Sequence, residues 1–288
     1  MYAITGVTGH VGGATARTLL EQGVPVRAVV REEAKAARWS HLGAETAVAD
    51  LGDVDALGAA LSGCAGAFLL LPTLPSGSDS EHRRLVESIA GAVEASGVPQ
   101  VVVLSSWGAE LPEGTGPIRW LHDLENRLRR TGATVTAVRA CHFQEKVESV
   151  LGAVLGEGIF PVFGETADRP IPMVATRDIG EVAAQSLLAP PSGHQIIDLD
   201  GAAVTDREVA DAVAEVLGRP LQVVTIPREA WDPTLIDAGL SPALAGEIAA
   251  LTEADERGLL RPTSEHRRTG TTPIADTISR VLEAARVA

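Results

Sequence analysis

The sequence predicts an α/β fold, a doubly wound parallel sheet with a smaller C-terminal α/β lobe. Three observations predict it. Short apolar runs alternate with helix-forming runs through the first half of the chain. Those runs are apolar throughout, as strands buried on both faces must be. A glycine-rich turn, Thr5-Gly6-Val7-Thr8-Gly9-His10-Val11-Gly12, joins the first strand to the first helix.

The elements follow in order. Residues 1–4 form a strand and 13–22 a helix stopped by Gly23. A second strand covers 24–30, a helix 33–42, and a third strand 45–49, ending at Asp50-Leu51. A helix spans 54–61, and the fourth strand, 66–71, stops at Pro72. The helix over 81–96 carries the apolar stripe Leu85, Ile89 and Val93 and is followed by Gly97 and Pro99. A fifth strand, 101–104, ends at Ser105-Ser106; a helix over 118–130 leads through Gly132 into a sixth strand, 134–138. Right-handed crossovers between such strands give the Rossmann arrangement, whose ligands lie beyond the carboxyl ends of the strands.

Past Phe143 the rhythm loosens, and Pro161, Pro170 and Pro172 mark irregular segments. Asp178 reads as the N-cap of a helix over 179–188, and Thr205 as the cap of one over 206–217 closed by Gly218. Residues 195–199 and 221–226 read as strands, 231–260 as largely helical including 243–251, and 274–286 as a final helix. The division expected is a dinucleotide-binding domain over 1–143 and a smaller substrate lobe over 144–288, with segments that cross back to the main sheet.

Composition narrows the class. The chain of 288 residues is 45% hydrophobic and 22% charged, enough for one large domain or two small ones. No apolar run approaches the roughly 20 residues of a membrane helix, and the first strand begins almost at Met1, so a soluble cytoplasmic protein is expected. The formal net charge of −14 argues against nucleic-acid binding, which needs clustered cations. Cys64 and Cys141 lie in apolar stretches and read as buried thiols. No His, Cys and carboxylate spacing suggests a metal.

The glycine turn carries the chemistry. Gly6 permits the tight turn, Gly9 lets backbone approach a pyrophosphate, and Gly12 lets helix and strand pack closely. The free N–H groups at the helix start attract phosphate charge. An acidic residue ending the second strand would hold the ribose hydroxyls of NAD; here that position is Arg31, followed by Lys35 and Arg38. A guanidinium grips a 2′-phosphate that a carboxylate would repel, so NADP(H) is expected over NAD(H). Asp50 is placed to accept from an adenine amino group, or is a turn residue before Gly52.

Ordered motifs extend the reading. Beyond Thr5 to Gly12, they are Val30-Arg31, Ala49-Asp50-Leu51, Ser105-Ser106-Trp107-Gly108-Ala109, Glu125 to Gly132, and Thr136-Ala137-Val138-Arg139. Phe143-Gln144-Glu145 and Ile171-Pro172-Met173-Val174-Ala175-Thr176-Arg177-Asp178-Ile179 complete the set. Together these resemble the NmrA-like group of atypical short-chain dehydrogenases over nearly the whole chain. That group includes NADPH-dependent quinone and azo reductases and catalytically silent NADP sensors. The resemblance implies cofactor contacts at Gly6, Thr8, Gly9, His10, Val11, Gly12, Arg31, Lys35, Asp50, Leu51, Leu71, Pro72 and Ser105. It also implies that residues 140–143, Cys141 and Phe143 among them, lie near the nicotinamide. Two departures stand out: Arg139-Ala140 where the group often has Arg-Pro, and Glu145-Lys146 where it often has Glu-Asn.

Catalysis departs further. The Tyr-x-x-x-Lys pair of ordinary short-chain dehydrogenases cannot exist, because the one tyrosine is Tyr2 in the first strand. Relatives in the group keep a lysine or histidine on the helix before the sixth strand; that position is Leu121, with His122 one step away. One step on a helix turns a side chain by about 100°. His122 and Glu125 are three apart, so they can meet, and a carboxylate beside the imidazole would favour a proton donor. Ser106 is the second candidate, as a donor to a substrate carbonyl. Trp107 and Trp120 are placed to wall a flat pocket, or to fill core.

The resemblance therefore implies a reductase passing hydride to a small planar acceptor such as a quinone, azo compound or enone. A non-catalytic NADP(H) sensor acting through a protein partner is the second reading, and a biosynthetic ketone or imine reductase the third. Assembly is left open, with room for a homodimer.

Overall fold

The computed structural model describes residues 1–287. In the first half, strands β1 (Tyr2–Ile4), β2 (Val26–Val30), β3 (Glu45–Val48), β4 (Gly66–Leu69), β5 (Gln100–Ser106) and β6 (Thr134–Ala140) alternate with helices. Those helices are α1 (His10–Glu21), α2 (Ala36–His41), α3 (Val54–Leu61), α4 (Asp79–Ser96) and α5 (Ile118–Leu128). The second half carries β7 (His142–Phe143), α6 (Leu151–Glu157), β8 (Ile159–Phe163), β9 (Ile171–Val174), α7 (Thr176–Leu188), β10 (Gln195–Asp200) and β11 (Ala202–Val204). It closes with α8 (Asp206–Leu217), β12 (Gln222–Ile226), α9 (Trp231–Asp237), α10 (Pro242–Glu256), β13 (Arg267–Thr269) and α11 (Ile274–Val287).

The main sheet has eight strands in the order β13-β10-β6-β5-β4-β1-β2-β3, all parallel. Alternate residues of each strand feed two cores. One holds Leu57, Ile89 and Leu124 from α3, α4 and α5. The other holds Leu19, Trp39 and Ile179 from α1, α2 and α7. The sheet is thus covered on both faces, which is why its strands are apolar throughout. The fold is the Rossmann arrangement that the alternation predicts.

Beyond β6 the chain divides its loyalties. α7, β10 and β13 join the main sheet and its helical layer. β7, β9 and β11 form a small mixed sheet, and β8 pairs with β12. A third core, with Val154, Phe160, Met173, Val213 and Ile278, fills the space between these sheets and α6, α8 and α11.

Sequence patterning misses β7, β8, β9, β11, β13 and α6, for identifiable reasons. β7, β11 and β13 are two or three residues long. Pro161 and Pro172 interrupt β8 and β9, and proline masks a strand on an edge or in a small sheet. Gly152 and Gly156 weaken the signal for α6. One cap also differs from expectation. Thr205 caps α8 in a full capping box with Glu208, but Asp178 is not the N-cap of α7. That helix starts earlier, at Thr176. The Asp178 carboxylate instead accepts from the Thr272 amide at 2.9 Å and its hydroxyl at 2.6 Å, holding the returning chain against α7.

α7 packs closely on α1. A Cβ on Gly180 would stand 2.5 Å from the Ala14 Cβ and 2.8 Å from the Thr15 nitrogen. Gly180→Ala is therefore expected to lower stability by about 1–3 kcal/mol in urea denaturation, because two helices must separate to admit one methyl.

Candidate functional site

The sheet order reverses around β1, whose neighbours are β4 and β2. A crevice for ligand opens at the carboxyl ends of strands at such a point. Thr5 anchors the turn there, its amide and hydroxyl each 3.0 Å from the Phe68 carbonyl. Gly6 has φ +62°, a left-handed backbone that disfavours side chains, and a Cβ there would strike Leu70. A Cβ on Gly12 would stand 2.4 Å from the Thr5 carbonyl oxygen, so α1 can start this close to β1 with glycine alone. Gly9 is different. The nearest atom to its Cβ would be the Gly6 oxygen at 3.5 Å, an ordinary contact. Gly9 is the N-cap of α1, no side chain caps it, and the first turn carries no acid.

A crevice of about 310 Å³ lies over this turn. Of the sequence-predicted contacts, Gly6, Gly9, His10, Val11, Gly12 and Phe143 line it. Leu70, Leu104, Glu145, Lys146, Glu148 and Thr176 line it too, and were not singled out as contacts. Leu70 and Leu104 adjoin the predicted Leu71 and Ser105 in the chain. Glu145 and Thr176 lay inside quoted motifs without an assigned role. Glu145 accepts from the Thr176 amide at 3.0 Å and its hydroxyl at 2.7 Å, so it closes the start of α7 from a distant loop. His10 Nε2 lies 3.0 Å from Glu148 across the mouth, an exposed pair.

The remaining predicted residues lie apart from this crevice. Thr8, Arg31, Lys35 and Asp50 are exposed, and Leu51, Leu71 and Pro72 half-buried. Among the described residues neither Arg31 nor Lys35 forms an ion pair. Asp50 binds the Gly52 amide through Oδ1 at 2.7 Å. Cys141 sits in the core beside Leu199, and burial pushes its thiol up to about 12, too high for a nucleophile. A larger cavity, about 770 Å³, lies between the ends of β8 and β12, α9 and α10, away from the glycine turn. Volume alone does not pick the site; the helix start and sheet reversal do.

The proton-donor candidates resolve differently from expectation. His122 and Glu125 do not pair. Glu125, 1% exposed, takes Arg139 Nε and Nη2 at 2.9 and 2.8 Å, Arg129 Nη2 at 2.6 Å and the Ser105 hydroxyl at 2.6 Å. Burial pulls the Arg139 guanidinium down, and the Glu125 hydrogen bonds and charge more than offset this, raising it overall. Ser105 is thereby committed inside the protein. His122 Nδ1 donates to the Ala109 carbonyl at 2.9 Å, and its Nε2 accepts from Asn126 Nδ2 at 2.8 Å. Arg129 on Asn126 Oδ1 fixes that amide orientation. Both ring nitrogens of His122 are used. The Ser106 hydroxyl donates to the Trp107 carbonyl at 3.1 Å. Trp107 and Trp120 are core residues, 6% and 1% exposed. Trp120 stacks on His82 with centroids 3.4 Å apart.

His142, one of the residues 140–143 expected near the nicotinamide, contacts a carboxylate. His142 Nε2 lies 3.2 Å from Asp255 Oδ1, and Asp255 Oδ2 takes Arg169 at 2.5 Å. His142 Nε2 is buried, and this carboxylate is its polar neighbour. Burial pushes the Asp255 carboxyl up, but His142 and Arg169 outweigh it and bring it down to about 2.

Comparison with known proteins identifies the family. A family model described as NAD(P)H-binding matches residues 6–190, and the chain belongs to that family. It is 28% identical over 259 residues to the NAD(P)H azoreductase of Xenophilus azovorans, covering 88% of each protein. It is 26% identical over 256 residues to quinone oxidoreductase 2 of Escherichia coli strain K12, covering 86% of each. The crystal structure of an NADPH-dependent quinone oxidoreductase from Escherichia coli, complexed with NADPH, superposes with a TM-score of 0.79. It is 25% identical, with 98% of this chain and 100% of that one covered. No helix among the described residues is long and apolar enough to cross a membrane.

The Asp255 cluster makes stability depend on acid. A carboxyl held low in the folded chain stabilises it fully above the unfolded value, ~3.9, and that stability is lost as pH falls through the folded value. Asp255→Asn is expected to cost about 1–3 kcal/mol near pH 7, with the gap to the parent closing by about pH 2, read by urea denaturation across pH.

Proposed function

We propose that this protein is an NADPH-dependent reductase of small planar acceptors, quinones and azo compounds foremost. The observation that carries the proposal is the open face of Gly9 on the uncapped start of α1. Nothing among the described residues demands a glycine there, whereas Gly6 and Gly12 are demanded by Leu70 and by the Thr5 carbonyl. A bound diphosphate supplies the missing reason. The amides of His10, Val11 and Gly12 then hold its oxygens. The exposed His10–Glu148 pair is of the weak surface kind and yields to it.

Arg31 and Lys35 support NADP(H) over NAD(H), being cations beyond the end of β2 that form no ion pair among the described residues. Leu70, Leu104 and Phe143 give the crevice an apolar wall that excludes water from the reacting ring. The bound cofactor supplies hydride, and the protein supplies orientation. Quinones and azo compounds suit a site without a catalytic tyrosine, because they hold negative charge well once reduced. The names of the relatives point the same way.

Calorimetry tests the cradle. NADPH is expected to bind about tenfold or more tightly than NADH, with Arg31→Ala removing most of the difference. Gly9→Ala is expected to weaken NADPH about tenfold or more while leaving the melting temperature of the free chain within about 2 °C. Equal affinities for the two nucleotides overturn the NADP assignment, and unchanged binding by Gly9→Ala overturns the cradle. NADPH oxidation with a panel of quinones and azo dyes tests the activity. Binding with no turnover of any acceptor overturns the reductase reading in favour of a sensor.

A further inference from the structure

We propose that Lys146 is a cofactor-binding residue: its ammonium leaves Asp206 and closes on the diphosphate of the bound nucleotide, opposite the amides of α1. The proposal rests on the nucleotide cradle of the reading above. Lys146 belongs to the 3₁₀ segment Gln144–Val150, which follows β7. That segment reaches across the crevice to α1. Its Glu148 meets His10, the first residue of α1, at 3.0 Å. Lys146 stands two residues before Glu148 and lines the same crevice as Gly9, His10 and Val11. The crevice holds about 310 Å³, a space that a flexible lysine on its wall spans in large part.

Charge selects Lys146 for this task. The titratable side chains that line the crevice are His10, Glu145, Lys146 and Glu148. Glu145 is buried and spent on the Thr176 amide and hydroxyl. Two carboxylates repel a diphosphate, and the start of one helix offers only about half a charge in return. Lys146 is the one lysine or arginine on this wall among the described residues. Its present contact leaves it free to move. The ammonium lies 3.5 Å from Asp206, beyond the roughly 2.7–2.9 Å of a charge-assisted hydrogen bond. The Lys146 side chain is 41% exposed, and a loose pair of this kind contributes little. Asp206 does not depend on it, being the first residue of α8, where the helix dipole favours a carboxylate. The two cationic roles then divide. Arg31 meets the 2′-phosphate that NADP(H) alone carries, and Lys146 meets the diphosphate that both nucleotides carry. The diphosphate is held by α1 on one side and by the segment after β7 on the other.

Calorimetry on the full chain tests the assignment without relying on turnover. Lys146→Met is expected to weaken NADPH and NADH by the same factor, about tenfold, while Lys146→Arg stays within about threefold of the parent for both. The melting temperature of the free Lys146→Met chain is expected to stay within about 2 °C of the parent's. Asp206→Asn removes the competing carboxylate and is expected to tighten both nucleotides about two- to threefold, a gain that disappears when Lys146→Met is added. Added salt is expected to weaken NADPH less steeply in Lys146→Met than in the parent. Affinities unchanged by Lys146→Met overturn the role of Lys146 alone, as do affinities unchanged by Asp206→Asn. A loss confined to NADPH overturns it too, because the lysine then meets the 2′-phosphate. A parent that binds neither nucleotide overturns the cradle, and this proposal with it.

Discussion

The start of α1 is the constraint on which the site depends. Gly12 brings the helix within contact of the Thr5 and Gly6 carbonyls. On the opposite side Gly180 lets α7 press on the Ala14 and Thr15 backbone. Gripped from two sides, α1 aims an uncapped amide cluster at the carboxyl edge of the sheet. Helix-start amides left without partners are costly in the interior and inviting at a crevice. α7, itself closed by Glu145 just after β7, is part of the same grip. The start of α1 and the Glu145 segment are therefore mechanically joined, although they lie far apart in the sequence.

Buried charge does a different job here. Glu125 draws Arg139, Arg129 and Ser105 into one network beneath α5. A carboxylate this deeply buried is stable only when fully hydrogen-bonded, and removing either partner leaves the other uncompensated. That demand explains why Glu125 cannot also serve His122. Helical spacing makes the two neighbours, but the two guanidiniums offer more than an imidazole three residues away. The same logic places Asp255 between His142 and Arg169.

α10 ties the halves together. Gly77 and Gly116 bring two loops within contact of its backbone, and Asp255 and Glu256 at its far end bind Arg169 and the Glu165 amide. His82, stacked on Trp120, donates through Nδ1 to the Ser78 carbonyl and accepts at Nε2 from the Leu74 amide. Burial lowers its pKa and keeps it neutral in this role. The ring sets the loop on which the start of α10 rests.

Much of this was legible in the residue order. The strand rhythm of the first half, the span of α3, the Thr205 cap of α8 and the packing roles of Gly6 and Gly12 are local properties, set by side-chain size, apolar period and backbone freedom. Gly6, Gly9, Gly12 and Phe143 fell in the crevice because motif and turn share one stretch of chain. Pairings across long separations were not legible. Which carboxylate meets which cation at Glu125 and Asp255, and which loop closes α7, were decided only when distant segments packed. The physical reason is that short-range preferences act through bonds a few residues apart. The ionic partner of a buried group is chosen by geometry and desolvation among every segment the fold brings near.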